Sequence, residues 1–340
     1  MAKVLVTGSA GFIGGYVVQA LLAAGYQVVG LDDHSKYGQV ARSYDHHPNY
    51  RLVVGDARDP GLVESLLEGC QHFVAGAAMI GGISYFHTYP YDLLATNERI
   101  IAASCDAAIA AHRQGTLEKV TYLSSSMVFE GADRWPSAEG QELQVPPPHS
   151  SYGFQKLAVE FFARAARDQY ALPFTIVRPF NCVGIGEERA LGDVEIESGN
   201  VKLAMSHVVP DLVQKVLKGQ DPLHILGDGS QVRHYTYGGD LARGILLAME
   251  SPAALNQDFN LSTAQSTTVL ELAALIWRKI RGDEPLRYQS DPPFEYDVQR
   301  RVPSTDKAHR VLGFEATTSL DQMLDEVIPW IREAIAAGRI

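Results

Sequence analysis

The chain has 340 residues, 46% of them apolar and 20% charged, which is typical of a globular protein with a large core. Its 29 basic and 40 acidic residues give a formal net charge of −11, which argues against a nucleic-acid partner. Three widely spaced cysteines without a CxxC pair argue against a disulfide framework or a zinc knuckle, and we expect no metal site. The sequence has no signal-peptide pattern and no membrane-length apolar run, so we expect a cytoplasmic protein with no membrane partner.

Strands and helices alternate through the first half of the chain. Apolar, often β-branched runs predict strands, and apolar residues at helical spacing predict helices. The predicted strands lie at 4–7, 27–31, 51–54, 72–75, 119–124 and 174–177, and the predicted helices at 12–24, 91–113 and 151–170. This alternation predicts an α/β fold with a Rossmann-type, doubly wound parallel sheet and right-handed crossovers.

The pattern changes after residue 179. An acidic, loop-like stretch at 184–200 precedes a predicted helix at about 201–218, and an amphipathic helix is predicted near 319–337. Between these helices, residues 222–250 read as a strand, a turn, a second strand and a third helix. We expect a first domain of residues 1–179, to which 236–262 return, and a smaller C-terminal substrate-binding lobe of residues 180–235 and 263–340.

The sequence VLVTGSAGFIGG places three glycines, Gly8, Gly11 and Gly14, between a predicted strand and a predicted helix. In this setting the first glycine permits a tight turn, the second lets backbone approach a pyrophosphate, and the third allows close packing of helix and strand. Phe12 and Ile13 open the helix, whose N-terminal N–H groups favour an anion. The motif therefore predicts a dinucleotide-binding loop.

An acidic residue at the end of the next strand distinguishes between the two nicotinamide dinucleotides. Asp32 lies where a carboxylate binds the adenosine ribose hydroxyls and disfavours a 2′-phosphate, so the sequence predicts NAD rather than NADP. Asp33 could take this role, and the alternative for each of these acids is helix capping. The remaining predicted cofactor contacts are Asp56 and Ala57 after the third strand, and Ala75 and Ala77 after the fourth.

The fifth strand ends in three hydroxyls, in VTYLSSSMVFE, and the next helix begins with SSYGFQK. Tyr152 and Lys156 are four residues apart, which places both on one helix face. An ammonium beside a phenol favours the phenolate, which would make the tyrosine a base near neutral pH. The alternative is an exposed polar face. We favour the chemical interpretation because the glycine loop, the serine-rich strand end and the YxxxK spacing occur in this order.

With these motifs the chain resembles the extended short-chain dehydrogenase/reductase family, specifically its NAD-dependent nucleotide-sugar epimerases and dehydratases. The similarity extends from TGSAGFIG to TDKAHRVLGFE. It implies Ser125, Tyr152 and Lys156 as the catalytic residues, with Tyr152 and Lys156 also facing the cofactor. Asn97 matches an asparagine that braces the active-site lysine through water, the alternative being a polar residue inside a helix. The resemblance also implies a nucleotide-diphosphate sugar as substrate and a homodimer.

The resemblance implies contacts with the substrate as well. Asn181 and Arg233 match residues that bind the diphosphate, while His207 could equally be an ordinary polar residue on its helix. Phe294 stands where the family has a second phosphate-binding arginine, and Arg300 is a candidate replacement. The acids between 187 and 197 are expected to form a solvated face. The predicted substrate contacts are Gly82, Ser126, Asn181, His207, Val208, Arg233 and Arg300.

Two positions distinguish the subfamilies that the chain resembles. Ser126 and Met127 stand where dehydratases have an Asp–Glu pair, decarboxylases a glutamate and 3,5-epimerases a cysteine. Since 4-epimerisation needs no further titrating group, we expect C4 epimerisation of an NDP-hexose through a transient 4-keto intermediate. The alternatives are an NDP-4-keto-sugar reductase, a GDP-sugar 3,5-epimerase (favoured by the segment MIGGISYFHTYP) and a non-catalytic NAD(P)-binding sensor.

Overall fold

The computed structural model describes residues 1–80, 88–191, 196–203, 207–293 and 298–340. Within these ranges the strands are β1 (Lys3–Thr7), β2 (Gln27–Asp32), β3 (Tyr50–Val54), β4 (His72–Ala75), β5 (Lys119–Leu123), β6 (Phe174–Pro179), β7 (Cys182–Val183), β8 (Ile196–Ser198), β9 (Val201–Leu203), β10 (Leu223–Leu226), β11 (Val232–Arg233), β12 (Thr236–Tyr237), β13 (Gln257–Leu261), β14 (Thr267–Thr268) and β15 (Tyr288–Asp291). The α-helices are α1 (Phe12–Ala23), α2 (Pro60–Leu67), α3 (Pro90–Arg113), α4 (Ser151–Tyr170), α5 (Val208–Leu217), α6 (Gly238–Glu250), α7 (Val269–Arg281), α8 (Asp306–Leu312) and α9 (Leu320–Ala336).

Seven parallel strands form the central sheet, in the order β13-β6-β5-β4-β1-β2-β3. In β1, Val4 and Val6 belong to one core cluster and Leu5 to another, because successive side chains of a strand point to opposite faces. Both faces are therefore buried, which is why these strands read as continuous apolar runs in the sequence. The predicted doubly wound parallel sheet is confirmed.

Helices cover both faces of the sheet. Val18 of α1, Ile245 of α6 and Leu312 of α8 are buried in the core on one face. Leu67 of α2 and Ala163 of α4 are buried in the core on the other face, to which α3 also contributes. This sandwich of sheet and helices leaves the carboxyl ends of the strands at one edge, where open α/β sheets bind their ligands.

The second half of the chain builds a core of its own. Val213 of α5, Leu223 of β10, Leu272 of α7 and Leu324 of α9 pack together there. β10 pairs in parallel with β15, outside the central sheet. Among the described residues, no helix combines the length and the hydropathy needed to cross a membrane.

The helix predicted at about 201–218 begins later than expected. Val201–Leu203 form β9, which pairs antiparallel with β8, and Gly199 in the connecting turn has a φ of +58°. Glycine tolerates this left-handed conformation, so the turn closes a hairpin where the apolar pattern alone indicated a helix. α5 covers Val208–Leu217, and His207 is its N-cap.

Candidate active site

A cavity of about 940 Å³ lies along the carboxyl edge of the parallel sheet. The glycine loop and Asp32 line it from the sheet, and Ser125 and Tyr152 line it at the junction of β5 and α4. His224 and Arg233 line it from the second half of the chain. The cavity is therefore shared between the two parts of the molecule, which suits a site for a cofactor and a substrate.

The glycine loop has the geometry that a pyrophosphate requires. Gly8 has a φ of +75°, and a Cβ there would lie 3.1 Å from the backbone nitrogen of Ala77. A Cβ on Gly14 would lie 1.9 Å from the carbonyl oxygen of Gly8, so only glycine fits at this crossing. No described side chain caps the first N–H groups of α1, which therefore remain available to an anion. All the predicted residues of this loop line the cavity: Gly8, Gly11, Phe12, Ile13 and Gly14.

Asp32 links the glycine loop to the segment that follows β2. Its Oδ2 accepts a hydrogen bond from the backbone N–H of Ala10 over 3.0 Å, and its Oδ1 accepts one from His34 over 2.9 Å. Asp33 accepts from the N–H of Ser35 over 2.9 Å. Both acids line the cavity, and the backbone bonds orient the Asp32 carboxylate beside the glycine loop, where a ribose would reach it.

The predicted cofactor contacts that follow the third and fourth strands do not all line the cavity. Asp56, Ala57 and Ala77 line the cavity. Asp56 also pairs with Arg58, whose Nη2 lies 2.6 Å from Oδ2, and these hydrogen bonds hold the pKa of Asp56 below its ordinary value. Ala75 differs from the prediction, because it packs against the core and is not among the residues that line this cavity.

Asn97 is buried within α3 and is not among the residues that line the large cavity, although Met79 and Thr96 beside it are. Its Oδ1 accepts from the backbone N–H of Met79 over 2.7 Å, and its Nδ2 donates to the carbonyl oxygen of Met79 over 2.9 Å. Asn97 and Lys156 both line a second cavity of about 10 Å³. This volume is at the lower limit for one water molecule.

Ser125, Tyr152 and Lys156 lie together on the cavity wall. Ser125 follows β5, and its hydroxyl hydrogen-bonds the phenol of Tyr152. On α4, the Nζ of Lys156 lies 5.9 Å from the centroid of the Tyr152 ring and donates to the carbonyl oxygen of Leu123 over 3.1 Å. The structure thus brings together the three residues for which the sequence predicts a catalytic role.

The electrostatics of this group differ from the expectation that Lys156 lowers the pKa of Tyr152. Burial raises the pKa of the Tyr152 phenol, while its hydrogen bond with Ser125 and the positive charge of Arg301 lower it. Burial also lowers the pKa of Lys156, to about 8. The Lys156 amine lies by the ring and bonds a carbonyl oxygen, and among the described residues it is the charge of Arg301 that favours the phenolate.

Arg301, and not Arg300, lines the cavity. The Arg300 guanidinium lies 5.3 Å from the ring centroid of Trp135, at the surface. Arg301 Nη1 donates to Oδ1 of Asn181 over 3.3 Å, and Asn181 has a φ of +36°, a strained conformation for a residue other than glycine. The other predicted substrate residues that line the cavity are Ser126, His207, Val208 and Arg233, whereas Gly82 and Phe294 lie outside the described residues.

The sequence predicted a solvated face for the acids between 187 and 197, of which Asp193 and Glu195 lie outside the described residues. In the described part of this stretch the face is not uniformly solvated. Glu187 is buried, and its carboxylate bonds the Nδ1 of His207. Although burial raises the pKa of Glu187, the charge and hydrogen bond of His207 hold it below the ordinary value. Glu188 pairs with Arg339 over 3.0 Å. The Glu187–His207 pair fixes one ring nitrogen of a cavity-lining histidine.

Several polar cavity residues escaped the sequence analysis. Glu130 and Arg301 line the cavity, as do His224 and Asp291, whose Nδ1 and Oδ1 are 2.8 Å apart. Glu130 ends the motif VTYLSSSMVFE but was given no role there, and the other three lie outside the sequence motifs. The available signal was their charge alone, which does not distinguish a cavity wall from a solvated surface.

Comparisons with known proteins agree with this geometry. A family described as "NAD dependent epimerase/dehydratase family" matches residues 4–262. A UDP-glucose 4-epimerase of Mycolicibacterium smegmatis is 28% identical over 333 residues, which cover 97% of this chain and 98% of that protein. A UDP-glucuronic acid decarboxylase of Danio rerio is 25% identical over 333 residues, which cover 96% of this chain and 72% of that protein.

The fold is similar to that of a UDP-glucose 4-epimerase of Thermotoga maritima, solved with UDP-glucose. The TM-score is 0.82 at 26% identity, over 98% of this chain and 99% of that one. The family match, the glycine loop and the fold confirm the predicted resemblance and its NAD cofactor. The chain belongs to the NAD-dependent epimerase/dehydratase family.

Proposed function

We propose that this protein is an NAD-dependent nucleotide-sugar epimerase that inverts C4 of an NDP-hexose. The observation that supports the proposal is the hydrogen-bonded pair of Ser125 and Tyr152, with Lys156 beside it, on the wall of a cavity lined by both the glycine loop and the second half of the chain. A relative and a solved neighbour of similar length are UDP-glucose 4-epimerases.

In the proposed reaction, Tyr152 as phenolate takes the proton of the C4 hydroxyl while Ser125 hydrogen-bonds the same oxygen. NAD, when bound, would supply the reversible hydride acceptor that oxidation and reduction at C4 require. Lys156 would orient its nicotinamide ribose. After the 4-keto sugar has turned its other face, Tyr152 would give its proton back to the C4 oxygen. The net change is inversion at C4 without consumption of a reductant.

Epimerisation is favoured over elimination by the residues next to Ser125. Ser126 and Met127 are both buried in a 3₁₀ helix, Ser126–Phe129, and Met127 donates its N–H to the Ser125 hydroxyl over 3.2 Å. Neither side chain titrates in the physiological range, so neither can remove a C5 proton or protonate a leaving group. The alternatives are an NDP-4-keto-sugar reductase and a GDP-sugar 3,5-epimerase.

The proposal assigns cofactor binding and substrate binding to different parts of the chain. Residues 1–179, with 236–262, hold the cofactor, and 180–235 with 263–340 hold the nucleotide and the sugar. β13 supports the return of 236–262, since it lies beside β6 in the central sheet. α8 is an exception within the second group, because Leu312 packs in a core of the sheet. Asn181, Arg233 and Arg301 are the proposed diphosphate contacts, because guanidinium groups pair with phosphate oxygens and the Asn181 amide can donate to them.

We also propose a cytoplasmic homodimer. Three large side chains of α3 and α4 are exposed, Tyr91 by 75%, Phe154 by 47% and Phe161 by 55%, which suits burial against a second copy. The three cysteines are free thiols, which fits a reducing compartment. The mass of the protein in solution, measured by light scattering, tests the dimer.

The reaction is tested by incubating the purified protein with UDP-, GDP-, CDP- and dTDP-sugars in deuterated water. We expect inversion at C4 with no solvent deuterium at C3 or C5, followed by NMR. Deuterium at C3 or C5 would point to a 3,5-epimerase, and a stoichiometric demand for NADPH to a reductase. A bound cofactor that no sugar reduces would point to a sensor.

A further inference from the structure

Glu130 is an acidic residue of the cavity wall to which the proposed reaction gives no role. It follows the 3₁₀ helix Ser126–Phe129, which begins directly after Ser125. Its Oε2 accepts hydrogen bonds from the backbone N–H of Ser150 over 3.0 Å and from the Ser150 hydroxyl over 2.9 Å. The carboxylate thus stands where β5 and α4 converge, on the wall that also carries Ser125 and Tyr152.

The position of Glu130 is fixed relative to Tyr152. Ser150 is the N-cap of α4, and its hydroxyl accepts from the N–H of Gly153 over 3.0 Å. A Cβ on Gly153 would lie 2.9 Å from Oε2 of Glu130, so the absence of a side chain at 153 makes room for the carboxylate. One short hydrogen-bond chain therefore joins Glu130 to the helical turn that holds Tyr152.

The Glu130 carboxylate has no neutralising partner in the described part of the chain. Both of its hydrogen bonds come from Ser150, a neutral residue, and no lysine, arginine or histidine of those ranges pairs with it. Other acids of the molecule are neutralised, for example Glu160 by Arg178 over 2.6 Å. Glu130 therefore presents a net negative charge to whatever occupies this part of the cavity.

We propose that Glu130 selects neutral hexoses over hexuronic acids at the sugar end of the site. The inference rests on the proposed function, because a sugar whose C4 hydroxyl meets Tyr152 and Ser125 lies against the wall that carries Glu130. Hydroxyl groups of a neutral sugar can donate hydrogen bonds to the carboxylate. The C6 carboxylate of a uronic acid can only repel it, and such a built-in repulsion is a common source of specificity.

The test compares Glu130→Gln with the wild type for two probes, UDP-glucose and UDP-glucuronate. Binding is measured by calorimetry and C4 epimerisation by NMR. Glutamine keeps an oxygen that accepts both bonds from Ser150, so the fold is expected to persist. Asp133→Asn is the control, because Asp133 lies on the same segment with 81% of its side chain exposed and contributes the same unit of net charge.

The wild type should bind UDP-glucose at least about ten-fold more tightly than UDP-glucuronate, and Glu130→Gln should reduce that ratio by about ten-fold. Asp133→Asn should leave the ratio unchanged. An equal ratio in wild type and Glu130→Gln would overturn the inference, as would a wild-type preference for UDP-glucuronate. If the binding ratios are as expected but the wild type epimerises neither probe nor any other nucleotide sugar of the panel above, the epimerase proposal fails while the role of Glu130 stands. The two failures are therefore distinguishable.

Discussion

The guanidinium of Arg178 and the carboxylate of Glu160 form a two-point ion pair, 2.7 Å from Nε to Oε1 and 2.6 Å from Nη2 to Oε2. Ser124 donates its hydroxyl to the same Oε1 over 2.7 Å. Glu142 and Asp258 approach Arg178 Nη2 to 3.0 and 2.7 Å. Because Glu160 is one helical turn beyond Lys156, this buried cluster joins the end of β5 to the helix of the proposed catalytic residues.

Replacing Arg178 by methionine should destabilise the protein strongly. The side chains of Arg178, Glu160 and Glu142 are fully buried. The substitution would remove the central cation of this low-dielectric cluster and leave Glu160 and Glu142 to the partly exposed Arg164. We expect a loss of about 3–5 kcal/mol in the free energy of unfolding, measured by urea titration.

The control for this prediction is Arg58→Met. Arg58 pairs with Asp56 at the surface, where both side chains are more than 40% exposed, at 45% and 43%. Removal of such an exposed pair should cost no more than about 1 kcal/mol. A similar loss in both variants would show that the buried cluster has no special weight in stability.

Tyr152→Phe should retain the cofactor and lose turnover. The substitution removes a single oxygen, so the half-buried ring still packs, but no proton acceptor remains at the C4 hydroxyl. We expect turnover to fall by about 10²–10⁴-fold or more, with NAD content unchanged in the purified protein. Near-normal turnover in this variant would contradict the proposed proton transfer.

The pH dependence of turnover should report on Arg301. Its charge lowers the pKa of Tyr152 against the effect of burial, so Arg301→Gln should raise that pKa. Since the phenolate is the reactive form, the rising limb of kcat should move to higher pH in the variant. Measurement of kcat against pH, with saturating substrate, separates this effect from weaker substrate binding. Arg300→Gln is the matched control, because Arg300 lies over Trp135 at the surface and should leave the limb in place.

The sequence predicted the fold correctly where strands are buried on both faces. β1, β2, β4 and β5 are apolar runs without alternation, and the structure places them in the centre of the sheet. α2 was not predicted, although Asp59 before Pro60 carries a helix-start signal and accepts from the N–H groups of Gly61 and Leu62. Its eight residues give too few turns for a clear apolar period.

Residues that are close in sequence could be placed together in the candidate site from their spacing, whereas distant ones were assigned through the family resemblance. Tyr152 and Lys156 share a helix face by their spacing alone. The choice between Arg300 and Arg301 instead depends on register: Val232 donates to the carbonyl oxygen of Gln299 over 2.9 Å and accepts from the N–H of Arg301 over 3.2 Å. Neighbouring side chains of such an extended segment point in opposite directions. Because Phe294 stands where the family has its second phosphate-binding arginine, the sequence did not determine whether Arg300 or Arg301 lines the cavity.

Lys156→Met should stabilise the protein near neutral pH while abolishing turnover. Burial lowers the pKa of Lys156 to about 8, below the 10.5 of an unfolded lysine. At pH below 8 both states carry the proton, and folding then has to bury a charge. We expect a gain of about 1–2 kcal/mol at pH 7, which shrinks as pH rises from about 8 to 10.5, because the folded protein then loses its proton before the unfolded chain does.

Urea unfolding of Lys156→Met and wild type at pH 7 and pH 9.5 tests this sign. Lys3→Met is the control, since the Lys3 amine donates to the Glu68 carbonyl oxygen over 2.7 Å at the exposed surface. It should change stability little and equally at both values of pH. A stability gain for Lys156→Met that grows with pH would contradict the prediction.

Arg42 connects residues 185–191, in the second half of the chain, to the glycine loop by hydrogen bonds. Its Nη2 donates to the carbonyl oxygen of Ala10 over 2.6 Å, and its Nη1 donates to that of Gly186 over 3.3 Å. Leu191 donates its N–H to the carbonyl oxygen of Lys36 over 2.7 Å, which is a further hydrogen bond between residues 185–191 and the segment that follows β2. Residues 185–191 are therefore fixed beside the cofactor side of the cavity.

Arg42→Ala should release NAD faster, because the two hydrogen bonds that close this segment over the loop are lost. We expect the dissociation rate of bound NADH, followed by its fluorescence, to rise by about ten-fold. Arg51→Ala removes an arginine that is exposed on β3 and should leave the rate unchanged. Equal rates in the two variants would show that the cofactor leaves without opening this contact. An epimerase returns its hydride to the same substrate, so faster loss of the reduced cofactor should also lower turnover unless NAD is added.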